Sequence, residues 1–350
     1  MTLPWPTLRR YAAIVAVMLI GMAVLWGLLW TITAAKYRNL VDTWMAAERA
    51  HGHELHYDLR ATDGFPNAIV LRFVNLSWKD NAGGKAEAGD LTLSAHPWHW
   101  RVFKVAFQKN ATLMVPFPEA DDPLILRGAS GDGHIELNED DTWGFVRLRI
   151  DSADVSRPSR ALFTAEELDL AAERPEWMPK DYTETGLSLS GRARNVMLKT
   201  KIPMPFGDKV ASADLAFRIM GPPPNFYDRD SVIAWNNDNG IVECDAINLE
   251  WGPLSLATKG TLALNGELQP EGAFAGYIRG HEAVIQALLE QNWIAKHQAG
   301  MLSSALNLLA KPSTLDDQPS IEVPITVQMG GLFLGPVRLF TFPDIVWPSD

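Results

Sequence analysis

At 350 residues and 38.8 kDa, with a hydrophobic share of 47%, the chain can bury a substantial core as one large domain or two modest ones. Its formal net charge is -11, and residues 51–350 hold 26 basic against 40 acidic residues, a balance that argues against nucleic acid as a partner. The single cysteine, Cys244, excludes an intramolecular disulfide, a multi-cysteine zinc site and a C-x-x-C redox pair.

The first element is apolar. Tyr11 to Ile32 is a stretch of 22 uncharged residues, which as a helix spans about 33 Å at roughly 1.5 Å per residue. That is enough for a hydrocarbon core of about 30 Å. Trp5 and Tyr11 lie towards one end and Trp26, Trp30 and Tyr37 towards the other, as in an aromatic belt. Thr33-Ala34-Ala35 loosely fits a signal cleavage site, but the apolar run exceeds the 7–15 residues typical of a signal peptide, which predicts an uncleaved anchor. The helix is predicted to continue as a stalk from Lys36 to Ala50, with Leu40, Val41, Trp44 and Met45 at helical spacing and Gly52 as its stop.

From His53 onward the pattern is mostly of period two, as in Leu55/Tyr57/Leu59, Leu168/Leu170, Leu187/Leu189 and Ile247/Leu249/Trp251. Turn signals such as Asp63-Gly64-Phe65-Pro66, Asn81 to Gly84, Lys259-Gly260 and Asn265-Gly266 punctuate these runs. The expected class is mainly β, a β-rich α+β fold built on a curved antiparallel meandering sheet. A connection rich in proline at 200–230 is a candidate internal boundary, with a strand near Leu215 to Met220 and a short helix at Tyr227 to Trp235. An amphipathic helix pair is predicted over 282–310, broken near Asn292 and ended by Pro312, covering one face of the sheet. The domain reading is therefore 1–50 for tail, anchor and stalk, and 51–350 for a β-rich body.

Two Gly-Pro pairs coincide with a change of parity. Ile247, Leu249 and Trp251 occupy odd positions before Gly252-Pro253, and Leu254, Leu256, Leu262 and Leu264 even positions after it. Leu332 and Leu334 precede Gly335-Pro336, and Val337 and Leu339 follow it. Both pairs, with Gly64, Phe65 and Pro66, are expected to be structural corners, made by a bulge or sharp bend, rather than ligand loops.

These same residues resemble a known family. Trp251 to Leu256 (W-G-P-L-x-L), Gly260 to Asn265, Leu268 to Gly272, Asp63 to Pro66, Leu91 to Trp98 and Leu334 to Leu339 follow the succession of an uncharacterised alphaproteobacterial, membrane-anchored family, DUF2125. The resemblance covers essentially the whole chain in order. It implies a membrane anchor with a β-rich body, and it supplies no catalytic residues or activity.

Candidate chemistry is sparse. His51, His53, Glu54 and His56 make the densest ligand cluster, but the spacing is not H-E-x-x-H and a solvated linker is the expected role. His96-Pro97-Trp98-His99-Trp100 is read as a strand-end corner with its indoles in the core. Asn236 to Gly240 fails the EF-hand pattern, because Trp235 and Ala246 stand at ligand positions. Asn138 to Asp141 is read as a solvated acidic turn, and Cys244 as a small core residue. No phosphate-binding glycine motif, nucleophile elbow or S-x-x-K occurs.

The expectation is a protein without catalytic, cofactor or metal residues, anchored in the bacterial inner membrane with its N-terminus cytoplasmic and its body periplasmic. A sheet groove beside the 282–310 helices is expected to bind a lipid or other apolar ligand. The alternatives are an interaction scaffold for another envelope protein and a hydrolase whose site assembles only in the fold.

Overall fold

The computed structural model describes residues 5–347 apart from 82, 118–119, 201–202, 227, 310–312, 316–317 and 336. The chain opens with one continuous 46-residue helix, α1 (Trp5–Ala50). Strands β1 (Glu54–His56), β2 (Leu59–Asp63), β3 (Ile69–Lys79), β4 (Lys85–His96), β5 (His99–Phe117) and β6 (Ala120–Leu137) follow, then β7 (Trp143–Arg157), β8 (Arg160–Glu173), β9 (Thr185–Leu198) and β10 (Lys209–Met220). After α2 (Arg229–Asn237) come β11 (Val242–Trp251), β12 (Leu254–Leu264), β13 (Pro270–Arg279), and the helices α3 (His281–Glu290) and α4 (Lys296–Leu309). The chain finishes with β14 (Ser313–Leu315), β15 (Gln318–Gln328), β16 (Gly331–Leu334) and β17 (Val337–Thr341).

From β2 to β13 each strand pairs antiparallel with the next, β15 continues the sheet beyond β13, and β16 and β17 close its far edge. The expected mainly-β, antiparallel meander is thus one open sheet. The connection at 200–230 brackets β10, which pairs directly with β9 and β11, so the sheet runs on without a break there.

Residues directly opposite one another in antiparallel strands share a face. Phe73, Leu91, Phe107, Gly131, Ile150 and Leu168 form one such row from β3 to β8. Ala193, Ala213, Leu249, Leu256, Ile278 and Ile321 carry it on to β15. An apolar face therefore crosses twelve strands. Helices cover its two ends. At one end Ala34, Tyr37 and Met45 of α1 pack on Leu55, Ile69, Leu71, Phe73, Ala95 and Phe103; at the other, α3 and α4 bury Ile285, Leu302 and Leu306 against Ile278, Ile321 and Val323. Each fully buried aliphatic side chain contributes roughly 1.5–3 kcal/mol, which is why these helices dock there.

Gly252-Pro253 and Gly335 stand at hairpin turns rather than at a bulge or bend within one strand. Trp251 faces Leu254, so Gly252-Pro253 is the two-residue turn of the β11–β12 hairpin, and the parity changes because the chain reverses. Leu334 likewise faces Val337 across a turn at Gly335; Pro336 lies outside the described residues. Gly252 has φ +53°, and a Cβ there would stand 2.8 Å from the Phe206 carbonyl oxygen. Gly252→Ala is expected to cost about 1–2 kcal/mol, read from a urea unfolding midpoint. Lys259-Gly260, expected as a turn, sits inside β12 facing Ala275 and Phe274; Asn265-Gly266 does lie in the β12–β13 connection.

The true bends are polar. Asn75 in β3, Lys109 in β5, Ser152 in β7 and Asn195 in β9 all have left-handed φ, between 48° and 64°. Each stands two residues past the apolar row, after Phe73, Phe107, Ile150 and Ala193 respectively. At Lys109 a bulge adds a residue to β5 and shifts its register against β4 and β6, while at Asn75, Ser152 and Asn195 the register to the neighbouring strands is kept; the four left-handed residues together crease the sheet along a line across the strands. Beyond the crease the buried positions change parity, from Ile150 to Ala153 and Val155 in β7.

Candidate functional site

Between the two helical covers, over β7 to β11, the sheet presents both faces. One is charged. Asp132, Arg149, Asp169, Arg192, Asp214 and Asn248 face one another in succession across six strands, so charge alternates along the hydrogen-bonding direction. Next to this row lie the small residues Ala171, Ser190, Ala216 and Ala246, which with Arg147, Asp169, Arg192, Asp214 and Asn248 line an open trough of about 570 Å³. Its charges engage each other: Arg147 Nε donates to Asp169 Oδ1 at 2.9 Å, Arg192 Nε to Asp214 Oδ1 at 2.7 Å, and Arg194 to both Asp214 oxygens at 3.1 Å. Arg218 donates to Asp245 at 2.7 Å and to Glu243 at 2.5 Å.

Burial opposes the charge on Asp214, but the hydrogen bonds from Arg192 and Arg194 outweigh it and hold the carboxyl below the usual carboxylate range. The Arg218 guanidinium holds Asp245 down in the same way, against a smaller cost of burial. Depressed carboxylates contribute stability above their unfolded values, near 3.9 for Asp, and lose it as pH falls through the depressed ones. The unfolding midpoint is therefore expected to be level from neutral pH down to about 5 and to fall below about 4. Asp214→Asn should flatten that acid limb in a pH series of urea titrations.

The other face is apolar. Next to the row described above, Leu148, Leu170, Gly191, Leu215 and Ile247 face one another across β7 to β11, followed by Val146, Ala172, Leu189, Phe217 and Cys244. These rows continue beneath α1 at Leu71 and Ile69 and, at Val323 and Ile325, into the cluster under α3–α4. In the middle they are uncovered: Leu170, Leu189 and Leu215 are 37%, 38% and 40% exposed. Cys244 is buried at the edge of this surface, with its thiol pushed up by burial and by the neighbouring Asp245. It is expected to resist thiol reagents in the folded protein and to react once urea unfolds it, followed by mass spectrometry.

The clusters singled out in the sequence fall as follows. His53 Nδ1 lies 2.7 Å from Glu48 Oε2, which also accepts from Trp78 Nε1 at 2.8 Å, tying the end of α1 to β3. No group of three or more potential metal ligands occurs among the described residues. Asn236 to Gly240 ends α2: Gly240 N–H donates to the Trp235 carbonyl at 2.8 Å, and Asn239 is left-handed. Asn138 to Asp141 makes the β6–β7 turn, where Thr142 hydrogen-bonds to Asp140 and holds its carboxyl below the usual range.

The histidine-tryptophan stretch departs from expectation. Trp98 is 53% exposed in the β4–β5 turn rather than in the core, stacked on His96 and 5.7 Å from Trp26 of α1. The turn between β2 and β3, with a cis Phe65-Pro66 peptide, reaches the same helix: Phe65 meets Trp30 edge-on at 5.4 Å. Phe65 and Pro66 therefore dock the sheet on α1, with Gly64 left-handed at φ 103° in the same turn, a role that spacing alone did not reveal. Paired exposed aromatics at two strand ends were the available signal.

α1 is the one helix among the described residues long and apolar enough to cross a membrane. No curated protein matches the chain. The chain belongs to a bacterial protein family described as an uncharacterised protein conserved in bacteria, DUF2125, which matches residues 30–343.

Proposed function

We propose that the protein is a non-enzymatic, membrane-anchored envelope protein that holds a lipid acyl chain or similar apolar ligand on the open middle of its apolar face. The observation that carries this reading is the uncovered stretch at Leu170, Leu189 and Leu215, continuous at both ends with surface that helices cover. Contiguous exposed apolar surface of this kind marks binding sites, because leaving it in water costs free energy. Continuity of α1 supports a retained anchor: Ala34 and Tyr37, at and just beyond the Thr33–Ala35 cleavage-like site, are fully buried against the sheet. The two arginines of a short N-terminal tail and the acidic body support a cytoplasmic N-terminus and a periplasmic body.

Mass spectrometry of protein purified in mild detergent is expected to find copurifying lipid, and Leu215→Asp with Leu189→Asp to lose it while the fold is retained by circular dichroism. Lipid-free wild-type protein would overturn the reading. A scaffold role is favoured by one separate observation, the 76% exposure of both Trp177 and Met178 in the β8–β9 connection. It predicts crosslinks from residue 177 to another envelope protein, and no lipid.

A further inference from the structure

The β2–β3 and β4–β5 turns touch α1 below the level at which its charges begin. Trp26 Nε1 donates to the Pro66 carbonyl at 3.1 Å, and Trp30 Nε1 to the Ala68 carbonyl at 2.8 Å. Both indoles belong to the uncharged stretch from Tyr11 to Ala35, and Trp26 lies about 9 Å along the axis before Ile32, at roughly 1.5 Å per residue. A hydrocarbon core of about 30 Å that begins at Tyr11 ends close to residue 31. Trp26, and the Pro66 carbonyl bonded to it, then fall at the inner margin of the bilayer interface.

The turns are composed for that depth. Gly64 to Ala68 and Pro97-Trp98 carry no charge, and Phe65 and Trp98 are 60% and 53% exposed. Lipid offers backbone groups no hydrogen bonds, so they must be satisfied internally. Four carbonyls of the first turn are: Gly64 accepts from Ala68 N–H at 2.9 Å, Asn67 from His96 Nδ1 at 3.0 Å, and Pro66 and Ala68 from the two indoles. Higher up, Lys36 Nζ lies 3.9 Å from the Trp100 ring and the Arg101 guanidinium 4.9 Å from it, where headgroups would meet cations. At the opposite end of β3 the turn from Asp80 to Gly84 has no large apolar residue.

We infer that these two turns are seated in the bilayer beside α1, with Phe65 and Trp98 in the boundary between headgroups and acyl chains of a phospholipid membrane. The sheet then stands on the membrane by three contacts, and its first strands rise directly from lipid. This rests on α1 as a retained membrane span and is independent of whether the apolar face holds a ligand.

The test uses the full chain in vesicles of phosphatidylcholine and phosphatidylglycerol, with Cys244→Ala as background. Single cysteines at Phe65→Cys, Trp98→Cys and, as the control on the far end of β3, Lys79→Cys are labelled with a nitrobenzoxadiazole fluorophore. Labels at 65 and 98 are expected to emit at shorter wavelength, to be quenched by doxyl-labelled lipid and to be shielded from aqueous iodide; the label at 79 should behave in the opposite way. Iodide quenching at 65 and 98 equal to that at 79, with no effect of doxyl lipid, would overturn the inference. Asn67→Cys keeps Phe65 and Trp98 in place and decides the matter by the same two quenchers if either aromatic variant does not fold.

Discussion

Replacing Tyr37 by alanine is expected to remove about 3–5 kcal/mol of stability, the range for deleting a buried aromatic ring. Tyr37 is 1% exposed at the centre of the contact between α1 and the sheet, with its ring stacked on Phe103 at 5.1 Å. The phenylalanine variant should go the other way. The Tyr37 hydroxyl is buried with no hydrogen-bond partner among the described residues, and burial pushes its ionisation far above the ordinary range. Removing an unsatisfied buried hydroxyl while keeping the ring is expected to gain about 1 kcal/mol. Urea unfolding of the detergent-solubilised protein, followed by near-ultraviolet circular dichroism, measures both. A destabilised phenylalanine variant would mean that the hydroxyl has a partner, and an alanine variant of unchanged stability that α1 is not part of the core.

The line of left-handed residues gives the second large effect. Ser152 and Asn195 hold left-handed φ of 53° and 48° in β7 and β9, and the Asn195 side chain also donates to Glu166 at 2.6 Å. A β-branched residue in that conformation brings its Cβ against the backbone, at a cost of roughly 1–2 kcal/mol per position. The strands are about 9–10 Å apart, far enough for the two effects to add, so Ser152→Val with Asn195→Val should cost about 2–4 kcal/mol. Glycine at the same two positions should be tolerated, since it adopts this conformation without steric cost. Equal stability of the valine and glycine pairs, measured by thermal unfolding, would show that the crease is not held by these residues.

Local chemistry explains why some of the architecture was legible in advance. The long uncharged run specified α1, the period-two alternation specified strands, and 282–310 carried the spacing of helices that cover a sheet. Each is a property of neighbouring residues, written over a few turns or a few strand positions. The bends were misplaced because glycine and proline are the usual marks of a corner, and Gly252 and Gly335 do stand in turns, though of hairpins. The residues that crease the sheet are Asn, Lys and Ser, which read as ordinary exposed strand positions. Only the shift in β3 from Ile69, Leu71 and Phe73 to Leu76 and Trp78 across Asn75 hinted at them.

By itself, then, the sequence determined the long apolar helix, the antiparallel β-rich body, the covering helix pair and the family. Hydropathy, period and short motifs are local and survive without knowledge of partners. The tertiary structure alone decided what faces what. It set twelve strands in one register, so that alternating residues became a continuous apolar face and a self-paired charged one. It aligned four left-handed residues into one crease, and it brought Phe65 and Trp98 against Trp30 and Trp26. Each of these depends on residues dozens of positions apart being fixed opposite one another, and that register is set by the pairing of whole strands, which no single stretch of sequence contains.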